Sequence, residues 1–270
     1  MTAPRPPSGL RAALGLFTVI GVRPFTVDAD VAARAVRWLP VVGAGLGLLA
    51  GLSAIAVSLA VEGPLGAVIG VLALSAVTGG LHLDGLADTA DGLGSRKPPA
   101  DALTVMRRSD IGPMGVISIV GVLLIDSAAL APLGIGPLAL ALLTGPAVGR
   151  AAVWWATRPA IPGARGDGFG AAFVGATSAR AARIRTALLL TALAALAWFM
   201  ASLGGASSRS AAATAVIAVG LAVAALSVGG LWRRHLLRRL GGLTGDTYGS
   251  VIEITQAAYW VGWALVLGAR

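Results

Sequence analysis

Residues 38–61 read WLPVVGAGLGLLAGLSAIAVSLAV, 24 positions without one charge. A helix rises about 1.5 Å per residue, so about 20 apolar residues cross the roughly 30 Å hydrocarbon core of a bilayer. This run is long enough to span. Working outward, six further runs qualify: 65–83, 113–131, 136–157, 186–203, 211–231 and 250–268. A shorter apolar run at 10–22 follows a Pro-rich arm, 1–8, which reads as flexible. No small-residue cleavage site follows that run cleanly, and it reads as an interfacial or re-entrant helix. The expected fold is all-α: a polytopic membrane bundle of about seven transmembrane helices, forming one integral-membrane domain over 1–270.

Composition agrees. Hydrophobic residues make up 56% of the chain and charged ones 12%, with a mean hydropathy of +0.84. A soluble domain carries about 25% charged residues. Cysteine is absent, which excludes disulfides and thiolate metal sites. His82 and His235 are the only imidazoles, too few for a multi-histidine zinc site.

The net charge of +9 could suggest nucleic acid, but the order of charges along the chain gives a topological reason instead. Arginine and lysine collect before span one and in the loops between spans two and three, four and five, and six and seven. Of 21 basic residues, 18 fall on that one face, which the positive-inside rule makes cytoplasmic. Nucleic acid is therefore not an expected partner. Apart from Glu62 and Asp126, every acidic residue falls on the same face. Acids and guanidinium groups together at a membrane surface suit a metal-bridged phosphate ligand, with carboxylate oxygens on Mg²⁺ and arginines on phosphate oxygens.

The sharpest cluster is Gly-Leu-His-Leu-Asp-Gly-Leu-Ala-Asp-Thr-Ala-Asp-Gly at 80–92. Asp84, Asp88 and Asp91 are spaced i, i+4, i+7 and lie within roughly 60° of one another on a helix. Like charges so placed repel, and a cap needs only one carboxylate, so three in a stripe point to a divalent cation. His82 falls on the far side of that helix, where a hydrogen-bonded interface histidine is expected. Arg107-Arg108-Ser109-Asp110 leads through Gly112 and Pro113 into span three. It reads equally as a basic anchor before a helix start and as an anion cradle at a helix N-terminus. The loop around Arg165 is Gly-rich and reads by default as a connector. The turn at 241–249 carries Thr244 and Asp246 and leads into a helix with Glu253, seven residues on from Asp246. Asp126, deep in span three, reads as a partnered structural group.

Four motifs taken in order, Leu81-His-Leu-Asp-Gly-Leu-Ala-Asp-Thr-Ala-Asp-Gly92, Ser109-Asp-Ile-Gly112, Ala164-Arg-Gly-Asp-Gly168 and Gly241-Gly-Leu-Thr-Gly-Asp246, resemble the signatures of the adenosylcobinamide-GDP ribazoletransferase, or cobalamin synthase, family. The resemblance implies a multi-pass inner-membrane transferase of cobalamin biosynthesis with its site facing the cytoplasm. It would join α-ribazole, or its 5′-phosphate, to adenosylcobinamide-GDP and release GMP, with Mg²⁺ as cofactor. Catalytic carboxylates carry over to Asp84, Asp88, Asp91 and Asp246, the first three as metal ligands. The acidic helix position carries over to Glu253, and His82, Arg107, Arg108, Ser109, Asp110, Arg165, Thr244 and Glu253 are the residues expected to bind substrate and phosphate. Membrane lipid is the implied surrounding, and a homo-oligomer is compatible with it. Two positions depart from the family pattern: Arg108-Ser109-Asp110 exchanges the charges of an acid-Ser-base motif, and Gln256 stands where relatives often carry a second glutamate.

Two other readings use the same residues. A CDP-alcohol phosphotransferase also has Asp-Gly-x-x-Ala, but it places Arg where Asp88 stands. An ion-coupled transporter would put its carboxylates near the bilayer midplane, where Asp126 alone is expected.

Overall fold

The computed structural model describes residues 7–267. The first six residues of the expected arm, Arg5 among them, lie outside the described residues, as do position 268 of the last expected span and Arg270. Among the described residues there are ten α-helices, one short 3₁₀ turn and no strand. The helices are α1 (Gly9–Phe17), α2 (Ala29–Ala60), α3 (Leu65–Val77), α4 (Leu81–Gly94), α5 (Pro99–Val105), α6 (Pro113–Leu130), α7 (Ile135–Ala156), α8 (Ala179–Leu203), α9 (Ser208–Leu240) and α10 (Gly245–Leu267), with the 3₁₀ turn at Phe169–Phe173. Six helices are long and apolar enough to cross a membrane, or seven if α3 and α4 count as one span. An all-α polytopic bundle is what the apolar runs predict.

The spans match the expected runs except at their ends and at one break. α2 and α9 run past the apolar stretches at the arginine-rich end, where Arg34, Arg37 and Arg233–Arg239 stand. Serine and aspartate side chains cap helices that begin outside the apolar zone. Ser8, Asp28, Ser178 and Ser207 each accept from a backbone N–H three residues on. α7 is the central span and the most buried, whereas α8 and α9 form an outer pair with few buried side chains. Trp154 Nε1 donates to the Val36 carbonyl at 2.9 Å, tying α7 to α2. Trp260 Nε1 donates to the Ala141 carbonyl at 2.8 Å, tying α10 to α7. Of the glycines along α2, Gly43 and Gly47 face the α7 backbone and Gly45 touches nothing, so close helix approach uses half of that small-residue stripe.

The break falls in the expected span 65–83. Gly79 and Gly80 both take left-handed backbone angles, with φ of 61° and 69°, a conformation costly for residues carrying a Cβ. The chain turns there by 89°. α3 alone, with 13 residues, is about 20 Å long and stops short of the hydrocarbon thickness. α4 does not continue along the axis of α3 but turns off it at the arginine-rich end. The run 10–22 is likewise shorter as a helix than expected. α1 ends at Phe17, its Ala12 and Ala13 are fully buried in the core, and an extended segment follows in which Val19 N–H donates to the Val77 carbonyl at 3.0 Å.

Candidate active site

The turn at Gly79–Gly80 lays α4 over the first turns of α10. A Cβ on Gly85 would stand 2.6 Å from the Asp246 carbonyl oxygen, so a larger residue there would push the two helices apart. Backbone meets backbone, and Asp84 and Asp88 come to stand beside Asp246.

Two Gly-rich loops complete the arrangement. Ala164 N–H donates to the Leu243 carbonyl at 2.9 Å and Leu243 N–H to the Pro162 carbonyl at 3.0 Å, which locks one loop to the other. The Thr244 hydroxyl donates to Asp246 Oδ2 at 3.2 Å, while Thr244 N–H donates to the Thr247 hydroxyl at 2.7 Å. Thr244 thus orients the Asp246 carboxylate. Arg165 reaches the same oxygen at 4.0 Å and is steadied by donating to the Leu103 carbonyl at 2.6 Å. A cavity of about 850 Å³, counted with its open mouth, is lined by Asp84, Asp246 and Arg165 and by the rings of Phe17, Phe169, Phe173 and Tyr248.

Asp88 has the most perturbed surroundings of the acidic row. Burial, followed by repulsion from Asp84, Asp246 and Asp91, pushes its carboxyl up to about 7, and Arg165 offsets this only in part. Four carboxylates and one nearby guanidinium leave an excess of negative charge.

Asp91 departs from the expected trio. Its Oδ2 accepts from Gly112 N–H at 2.7 Å and its Oδ1 from Gly115 N–H at 2.8 Å. It caps α6 from 21 residues away, satisfying amides that have no partner within that helix and placing negative charge at its N-terminus. Among the described residues no three His, Cys, Asp or Glu side chains converge on one point as a metal cage. Asp84, Asp88 and Asp91 share a helical face without sharing a point, and Asp246 joins Asp84 on the cavity wall. Asp91→Ala should therefore lower stability by about 1–3 kcal/mol through the orphaned amides, and Asp91→Asn by less. An unfolding midpoint in detergent unchanged from wild type would exclude the capping role.

The other expected site residues divide among three places. Arg107 lies near the cavity mouth but pairs with Asp167 at 2.9 Å, both side chains exposed. Arg108 and Asp110 line a separate depression with Lys97 and Asp91, and Ser109 is exposed. Glu253 does not reach the cavity. It is buried about 10 Å further along α10 than Asp246, by the helical rise, in an inner polar pocket with Asp126, Arg150 and Gln256. His82 lines both spaces. Its Nδ1 is 3.4 Å from the Arg150 guanidinium, which can only donate, and 3.8 Å from Glu253 Oε1.

Sequence reasoning gave no role to Arg150, whose signal was a charge inside an apolar run. It also passed over the aromatic wall. Phe169 and Phe173 stand out in a loop of glycine and alanine, but nothing local ties them to Phe17.

Residues 9–264 match the family model of CobS, cobalamin-5-phosphate synthase. The adenosylcobinamide-GDP ribazoletransferase of Frankia casuarinae is 40% identical over 259 residues, covering 92% of this chain and 91% of its own. That of Nocardioides sp. is 37% identical over 257 residues, covering 94% and 97%. That of Klebsiella pneumoniae is 36% identical over 232 residues, covering 84% and 85%. No solved structure matches the chain. The chain belongs to the cobalamin-5-phosphate synthase family, transferases of cobalamin assembly.

Proposed function

We propose that this chain joins α-ribazole, or its 5′-phosphate, to adenosylcobinamide-GDP and releases GMP, with Mg²⁺, at the cytoplasmic face of the inner membrane. The observation that carries the proposal is the meeting of Asp84, Asp246 and Arg165 on one cavity wall, with Asp88 beside them, in a chain of this family. The concentration of arginine at that end supports the cytoplasmic orientation.

The donor set suits Mg²⁺. Every candidate ligand is a carboxylate oxygen, and Mg²⁺ usually takes only one or two protein carboxylates together with waters and substrate phosphates. A full protein cage is therefore not required. Asp84, Asp88 and Asp246 are the ligands proposed, with Asp91 holding α6. When bound, Mg²⁺ neutralises the diphosphate and the departing phosphate charge.

The chain's own groups supply position and proton transfer. In the reaction a ribazole oxygen bonds to the phosphorus that carries the cobinamide arm, and the bond from that phosphorus to the bridging oxygen of GMP breaks. Arg165, steadied on Leu103, holds phosphate oxygens. Asp246, oriented by Thr244, takes the proton of the attacking ribose hydroxyl, whether or not the 5′-oxygen carries phosphate. Alignment of the two substrates provides much of the remaining rate.

Mass-spectrometric detection of product from adenosylcobinamide-GDP and α-ribazole, using purified protein in vesicles with and without Mg²⁺, tests the proposal. Absence of product under both conditions overturns it. The pH behaviour follows from Asp88. Below pH 7 its carboxyl holds a proton that Mg²⁺ must displace, and above pH 7 it does not. Apparent Mg²⁺ affinity should rise as pH goes from 6 to 7 and level off by 8. A flat Mg²⁺ requirement across those three values would remove Asp88 from the metal site.

A further inference from the structure

The geometry points to a division of the cavity: its aromatic wall takes the planar base of the nucleoside substrate, and its acidic mouth takes the phosphates. This rests on the proposed ribazole transfer and adds which substrate enters the cavity and by which end.

Three of the chain's five phenylalanines meet here from two distant parts of the sequence. Phe169 and Phe173 lie with ring centroids 4.9 Å apart. Phe17 of α1 is 6.2 Å from the first and 5.9 Å from the second, and Tyr248 is 6.3 Å from Phe173. Phe173 is 2% exposed and Phe17 8%, whereas Phe169 is 45% exposed although it belongs to the cluster. A core aromatic would be covered. Phe169 instead presents a ring to open space above an apolar floor that includes Leu39, Val153 and Ile252. Stacking on such a ring needs only a π-face.

Two bases compete for that wall. Guanine carries exocyclic oxygen and nitrogen that need hydrogen-bond partners once desolvated. Of the cavity's polar side chains Thr244 is engaged by Asp246, Asp167 by Arg107 and His82 by Arg150, and the floor offers leucine, valine and isoleucine. The base of ribazole is a benzimidazole bearing two methyl groups, with no exocyclic polar atom. The apolar floor suits the second. With the base on the wall, the sugar lies toward Asp84 and Asp246, where its attacking hydroxyl is needed.

The test uses Phe169→Leu and Phe169→Trp in the full chain in vesicles. Phe169→Leu keeps apolar bulk and removes the π-face, and it should raise KM for α-ribazole about tenfold with KM for adenosylcobinamide-GDP unchanged. Phe169→Trp should restore the wild-type value. Calorimetric binding of α-ribazole alone to wild type and to Phe169→Leu gives the same comparison without turnover, and GMP should not compete. An unchanged ribazole KM and Kd in Phe169→Leu overturns the assignment, as does a rise confined to adenosylcobinamide-GDP, or competition by GMP. If wild-type protein binds α-ribazole through Phe169 but makes no product, the transfer reading fails while the base site stands.

Discussion

Replacing Asp88 by alanine should reduce turnover by about a thousandfold or more, while the protein still inserts and unfolds like wild type. The asymmetry follows from where Asp88 stands. It is half-buried among Asp84, Asp246 and Asp91, whose charges oppose its ionisation. Its removal relieves repulsion in the resting protein, so no loss of stability is expected, and the variant may be compared directly with wild type by its unfolding midpoint. What disappears is the carboxylate at the centre of the acidic row, and with it the charge balance for a diphosphate and its cation. Asp88→Asn, which keeps the shape and loses the charge, should be as inactive as Asp88→Ala. Near-wild-type rates for either variant at saturating Mg²⁺ would defeat the catalytic assignment.

The second large effect is on stability and lies one layer deeper. Arg150 is 1% exposed, donates to the Pro146 carbonyl at 3.1 Å, and faces His82, Glu253 and Asp126 in the inner pocket. No contact within 4.0 Å joins Arg150 directly to Glu253; the His82 ring stands between them. Glu253 and Asp126 thus line one buried pocket with a single guanidinium. Arg150→Leu strands them, at an expected cost of about 3–5 kcal/mol, read as a lower unfolding midpoint in detergent. Adding Glu253→Leu should recover part of the loss, because the double variant buries one fewer unpaired charge. If the two substitutions simply add, or if Arg150→Leu is as stable as wild type, the pocket is not held by charge. The network also connects to the cavity through His82, which lines both spaces. Loosening it should shift α4, and the acidic row with it.

Much of the architecture is legible from composition along the chain. A run such as 38–61 identifies itself as a span because hydrocarbon thickness sets a length, and the positions of arginine separate one end of the bundle from the other. The aspartate stripe is legible as well, since helical periodicity is a local property. The same local reading ran one span over 65–83, across the break between α3 and α4, because Gly79 and Gly80 are as apolar as their neighbours and their left-handed angles leave no mark on hydropathy. It also grouped Asp91 with Asp84 and Asp88. The partners that occupy Asp91, the amides of Gly112 and Gly115, lie beyond another helix and a loop.

By itself, then, the order of residues determined a multi-span helical membrane chain, the end at which its charges collect, and the acids available for chemistry there. These depend on segment length, sign of charge and spacing, all of which act over a few turns of helix. Tertiary packing alone decided that Asp246 stands with Asp84 and Asp88 while Asp91 serves α6, that Arg150 holds an inner pocket, and that Phe17 joins the distant Phe169 and Phe173 in walling one cavity. Those outcomes depend on how closely helices and loops can approach, as where Gly85 lets α4 rest on the Asp246 backbone, and no local pattern encodes that distance.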